Sequence, residues 1–194
     1  VVSLWLAVLA GGALPDAPAG TGSPLPSADR QYRCLWGSGC FGPPQAQWTV
    51  TGAGAALLAR EGDGIAVTGA TIGKVVDFGV TDGNNMGAAR APAAADTIIA
   101  HLKESGKTPE DYDLIVTGDL GALGSRILKD LTREKGVDIS SNHVDCGEIV
   151  YNVIEDEYQG GSGAGCSALV LCSYLFEKMR MRQLKRVLFV ATGA

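Results

Sequence analysis

The 194-residue chain predicts an α/β fold built on a parallel or mixed sheet. Three features carry that prediction. From Asp113 onward, short apolar runs of buried-strand type alternate with longer stretches of helical period. A glycine-rich loop, Gly160–Ser167, feeds straight into one of those helical stretches. A further apolar run, Leu184–Ala191, has the character of a central strand.

Composition sets the frame for these elements. Hydrophobic residues make up 46% of the chain, which places it among globular proteins and allows one domain with a sizeable core. The net charge is −5, from 16 basic against 21 acidic residues, and the sequence is read as carrying no dense basic run. Nucleic acid is therefore excluded as a partner. Five cysteines, an odd number without a C-x-x-C pair, argue against a disulfide framework and a thiolate zinc site and fit a reducing compartment. No apolar run reaches eighteen residues, so nothing is expected to span a membrane by itself, which leaves peripheral attachment open.

Taken in order, Val1–Leu14 is mostly apolar and precedes Ala17-Pro18-Ala19, the outline of a signal sequence without its basic start, and reads as a truncation. Residues 11–30 and Gly37–Pro44 are rich in Gly, Pro, Ala and Ser without period and read as loops. Trp48–Val50 and Ala55–Leu58 suggest strand around a glycine interruption, Glu61–Gly64 a turn, and Ile65–Thr68 a further strand. Gly52-x-Gly54 lacks the third glycine of a dinucleotide fingerprint because Leu57 stands there, and Gly69–Val75 misses the phosphate-loop spacing by one residue. No cofactor is expected.

Asp82–Gly87 reads as a polar turn, with Pro92 in a first helical turn and Ala95, Ile98, Ile99 and Leu102 marking a helix face that stops at Gly106. His101 lies beside that face without a partner at ligand spacing and receives no role. Asp113–Thr117 is a buried strand, and Gly118–Gly121 turns it into a helix with Leu120, Leu123, Ile127, Leu128 and Leu131 inward, closed by Gly136. His143, Asp145 and Cys146 stand close together, but on a strand His143 and Asp145 share one face and Cys146 the other, so a Cys–His dyad needs a sharp bend. From Ala168 the apolar positions Leu171, Cys172, Leu175, Phe176 and Met179 follow one helix face.

The loop before that helix is the candidate site. Gly163, Gly165 and their neighbours bring backbone N–H groups close to a ligand at a helix start, where the dipole favours an anion. Cys166 at the mouth of the helix is expected to favour its thiolate, with Ser162 and Ser167 supplying hydroxyl donors.

Several motifs join into a resemblance. Asn85-Met86-Gly87 with Pro92, then Asp111–Ile115, resemble stretches of thiolases and ketoacyl synthases, and Gly160–Ser167 falls where those enzymes carry their second catalytic loop. Ser27–Arg33, Gln47–Gly52, Ala70–Asp77, Thr117–Gly121, Asp145–Gly147 and Ala191–Ala194 together resemble the stage V sporulation protein AD family. The resemblance covers residues 27–194; residues 1–26 are unassigned, as an irregular or non-matching start, and both ends mark the chain as a fragment. It implies the thiolase-like layered fold (α-β-α), specifically the C-terminal half of the two-half architecture, incomplete here. It further implies a non-enzymatic protein peripheral to the spore inner membrane that binds dipicolinic acid with its calcium. The implied partners are the membrane proteins of an uptake channel complex, with a homodimer as a further option.

On this reading Asp119, Asp145, Cys146, Ser162, Gly163, Gly165 and Cys166 line the ligand site, with no catalytic residue and no resident metal; Asp119 and Asp145 are candidate oxygen ligands for the calcium, with capping as the commoner use of Asp. The residues agree. Condensing enzymes of the superfamily need a His after the strand equivalent to Asp113–Thr117, whereas Gly118-Asp119 follows here, and no His stands in the glycine loop. Ala164 replaces a Cys usual in the family's loop. The alternative is an acyltransferase of the thiolase superfamily with Cys166 as nucleophile.

Overall fold

A computed structural model describes residues 2–8, 19–21, 47–50, 52–56, 58–60, 64–151, 159–163 and 165–192. Readings on residues 9–18, 22–46, 61–63, Thr51, Leu57, Ala164 and Gly193–Ala194, the Ser27–Arg33 motif among them, lie outside the described residues.

The strands are β1 Val2–Val8, β2 Ala19–Thr21, β3 Trp48–Thr49, β4 Gly54–Ala56, β5 Ile65–Ile72, β6 Leu114–Thr117, β7 His143–Asp145, β8 Gly161–Ser162 and β9 Arg186–Val190. Five of them form the main sheet in the order β5-β1-β9-β6-β7, parallel throughout. Two small pairs stand apart from it, β2 with β4 antiparallel and β3 with β8 parallel. The helices are α1 Met86–Ser105, α2 Gly121–Glu134, α3 Cys146–Val150, and α4, which runs through Cys166–Val170, Leu171–Leu175 and Phe176–Arg180.

A parallel sheet must be covered on both faces, and the alternation of its strands shows how. Ile115, Leu188 and Val190 face Ala91, Ala94, Ile98 and Leu102 of α1 and Leu128 of α2. Their neighbours Val116, Val187 and Phe189 point the other way, onto Val170, Leu175 and Met179 of α4. Helices therefore cover both faces of one sheet. Among the described residues no helix is long and apolar enough to cross a membrane.

Several expectations are corrected. Val2–Val8, read as part of an irregular or signal-like start, is a strand pairing with both β5 and β9; a short apolar run suits the middle of a parallel sheet as well as it suits a leader. Helix α1 begins at Met86, not near Pro92, because Asn85 caps it by accepting the Ala88 N–H at 3.2 Å. Pro92 thus sits inside the helix. Gly87 lets α1 press against α2, since a Cβ there would overlap the Leu120 carbonyl oxygen.

In α4 the expected face is displaced. Leu171–Leu175 is π-helical, so the buried residues Val170 and Leu175 are five apart and Phe176 turns outward, 49% exposed. The Ser173 hydroxyl donates to the Leu169 carbonyl in that turn, a bond that loosens a helix. His101, given no role above, is structural: it is buried and hydrogen-bonds Thr71 of β5 at 2.8 Å and the Tyr112 hydroxyl at 2.6 Å.

Candidate functional site

Parallel strands β6 and β7 end together, and the loops leaving them meet the glycine loop that opens α4. Ligands of α/β sheets commonly lie at such carboxyl ends. Six of the seven residues singled out from sequence have described contacts or burial that place them here, and Gly165 completes the set by its packing.

Asp119 is the centre of one half. Its Oδ2 accepts the Ser162 hydroxyl at 2.9 Å and the Gly163 N–H at 3.0 Å. Arg90 of α1 brings its Nη1 to 2.7 Å from the same oxygen. That contact is one of charge rather than an aligned hydrogen bond, because both Nη1 and Nε of Arg90 are without a hydrogen-bond partner among the described residues. The two side chains are only 13% and 9% exposed. Gln47 ties the loop down, its Nε2 donating to the carbonyls of Asp119 and Gly161, both at 3.0 Å. Four buried polar atoms around Asp119 have no hydrogen-bond partner among the described residues: Gln47 Oε1, Arg90 Nε and Nη1, and Thr192 Oγ1, the last packed beside Gly118.

Two of the donors expected to be free at this helix start are occupied from within. The Gly163 N–H goes to Asp119, and the Cys166 N–H to the Gly163 carbonyl at 3.0 Å. Gly165 is required for packing, since a Cβ on it would overlap the Gly52 carbonyl oxygen.

Asp145 forms the other half and is a cap. Its Oδ1 accepts the Thr117 hydroxyl at 2.6 Å and the Leu120 N–H at 2.9 Å; its Oδ2 accepts the Gly121 and Gly147 N–H groups, each at 2.9 Å. One carboxylate therefore joins β6, the start of α2 and the start of α3. Burial pushes this carboxyl up to about 6, against the pull of the Thr117, Gly121 and Leu120 donors. Filled from four directions, it has no face to offer a cation. Among the described residues no three His, Cys, Asp or Glu side chains are grouped as a metal would need.

The thiols reverse an expectation. Cys146 and Cys166 are both 0% exposed. Burial raises the Cys166 thiol to about 12, with the Asp119 and Asp145 charges adding to it, and lifts Cys146 further in the same direction. The helix start cannot favour a thiolate that has lost its water. The Cys166 Sγ instead stands 3.8 Å from the Gly118 carbonyl, a weak donor contact. In the native protein Cys146 and Cys166 should therefore resist iodoacetamide at neutral pH and react in denaturant, as peptide mass mapping will show; rapid native alkylation of either would contradict this burial.

The bend expected to be needed for a Cys–His dyad does occur, where β7 passes into α3, but His143 turns elsewhere. Its Nε2 lies 3.0 Å from Thr117 Oγ1. Because that hydroxyl donates to Asp145, Nε2 must carry the proton, leaving Nδ1 buried without a hydrogen-bond partner among the described residues. Burial lowers the imidazole to about 3, and Lys129 adds to the effect. A depressed folded value gives stability that is present above the unfolded value of 6.5 and lost as pH falls toward 3. Wild type should lose about 1.4 kcal/mol per pH unit between 6.5 and about 3 relative to His143→Gln. Parallel unfolding curves for the two proteins between neutral and mildly acidic pH would refute it.

Arg90 escaped sequence reading. Its signal is a lone charge inside the small apolar run Gly87–Ala95, where a cation needs a buried partner.

Comparison with known proteins adds two findings. A family model described as stage V sporulation protein AD matches residues 2–194. A protein named stage V sporulation protein AD, from Bacillus subtilis (strain 168), is 45% identical over 193 residues. The match covers all of this chain and 57% of that protein, so the chain spans little more than half of its relative's length.

Proposed function

The chain belongs to the stage V sporulation protein AD family, and from that premise we propose that it serves, without catalysis, as part of a thiolase-like dipicolinate-binding component of the spore's uptake channel, peripheral to the inner membrane. One observation carries the binding part of this reading: Arg90, Ser162 and the Gly163 N–H converge on a single carboxylate, Asp119. A cation, a hydroxyl and a backbone donor in that arrangement are what a dicarboxylate needs when it gives up its water. Asp119 holds those donors in the free protein, and dipicolinate binds by taking a share of them, together with the unspent donors Arg90 Nε and the Thr192 hydroxyl. Calcium then arrives as the counter-ion of the ligand rather than on Asp145.

The absence of catalysis is supported by the chemistry of the thiols. Both are buried and held protonated, and His143 is committed to Thr117. Calorimetric titration of the complete protein with dipicolinate tests the proposal. Ser162→Ala is expected to weaken binding roughly 10-fold, the worth of one hydrogen bond to a charged group. Ser162 is preferred to Gly163 for this test because Gly163 has φ of 122°, a conformation that side chains rarely adopt. No binding by wild type, or equal affinity in the variant, would overturn the site. A stoichiometric thioester on Cys146 or Cys166 after incubation with acyl-coenzyme A would turn the reading to an acyltransferase.

A further inference from the structure

We infer that the turn joining α4 to β9 docks onto the head-group plane of an anionic lipid bilayer. Five of the nine residues 178–186 are basic: Lys178, Arg180, Arg182, Lys185 and Arg186. That corrects the reading of the sequence as free of dense basic runs; Met179, Met181, Gln183 and Leu184 interrupt the charges and hide the cluster. Folding sorts the two classes. Met179 is buried and anchors the turn, whereas Met181 is 59% exposed, and Phe176 and Tyr174, earlier in the same helix, are exposed too.

The acidic groups at this end are already engaged. Glu177 pairs with Arg180 at 2.9 Å, Asp111 lies 4.0 Å from Arg186, and the Asp113 carboxylate accepts the backbone N–H groups of Lys185 and Arg186. Lys178 sits 5.0 Å from the centre of the Tyr174 ring and donates to Gln183. Among the described residues, no carboxylate lies within ion-pair distance of Lys178, Arg182 or Lys185.

Arg182 supplies the second observation. It has φ of 57° and occupies the position after the helix end, where the Gln183 N–H closes back on the Lys178 carbonyl. Glycine is the residue that fits this place without strain. An arginine there holds a cation at the apex of the turn at a cost to the backbone, which a side chain with no ion-pair partner among the described residues does not repay.

Unpaired cations interleaved with exposed Met and aromatic side chains suit a bilayer interface, where charge meets head groups and apolar groups reach the acyl boundary. The net charge of −5 works against a polyanion approaching from other directions, so attachment is confined to this face. Strands β9 and β6 run parallel away from the turn, so the Asp119 site lies at the far end of the sheet and opens away from the bilayer.

This inference rests on the peripheral location proposed above, and co-sedimentation of the complete protein with lipid vesicles separates the two. Wild type should pellet with phosphatidylglycerol-containing vesicles, less so as salt is raised, and not with phosphatidylcholine alone. The double variant Arg182→Gly, Lys185→Gln should bind roughly 30-fold more weakly, from about 1 kcal/mol per lost charge. Arg182→Gly relieves the turn's strain, so loss of fold does not account for that result. Equal binding of wild type and variant to the anionic vesicles would overturn the docking surface while keeping the peripheral location; no binding of wild type to any vesicle would overturn both.

Discussion

Asp145→Asn is expected to lower the unfolding free energy by about 3 kcal/mol or more, although it changes one atom. All four acceptor positions of the carboxylate face donors: Thr117 and Leu120 on Oδ1, Gly121 and Gly147 on Oδ2. An amide placed either way turns an NH2 group toward two of them. Each orphaned donor is buried, with Asp145 1% exposed, so water cannot make good the loss. The consequences spread along the chain because this carboxylate starts both α2 and α3. Urea unfolding of wild type and variant measures the difference. A change under about 1 kcal/mol would mean that the capping geometry is not rigid.

The same residue shows where sequence reading stops. Asp145 was visible as an acidic residue near a cysteine, and a calcium ligand and a cap were both open to it. Only the crossing of β7 beside β6 decides between them, because three of the four donors come from residues 24 to 28 positions away. By contrast, the longer helices after Asp82 and the strands β6 and β9 were legible, since periodicity is local. Strand β1 was not, because an apolar heptad declares burial without declaring whether the burial is in a sheet. The displaced face of α4 was equally hidden: one extra residue in a π turn shifts every later position, and no residue type announces it. The thiol chemistry failed for a different reason. Local sequence suggested a helix start that favours charge, but desolvation by the sheet and by α3 outweighs it at 0% exposure.

Arg90 is the residue whose loss tests the site most directly. Arg90→Met should cost about 3 to 5 kcal/mol, the range for breaking a buried pair by removing one partner. The methionine fills much of the arginine's volume, so the cost arises from the carboxylate left behind. Asp119 would keep only the Ser162 hydroxyl and the Gly163 N–H as donors on Oδ2, in a setting where it is 6% exposed overall. Asp119→Asn alone should also destabilise, by leaving a guanidinium with its charge unmatched. The double variant Arg90→Met, Asp119→Asn should recover a large part of the loss, since replacing both charges removes the desolvation cost along with the attraction. A coupling of about 2 kcal/mol in that cycle identifies a true buried pair; additive losses, or an Arg90→Met protein as stable as wild type, would mean that water reaches the pair and that the anion-binding donors proposed around Asp119 are held by something else.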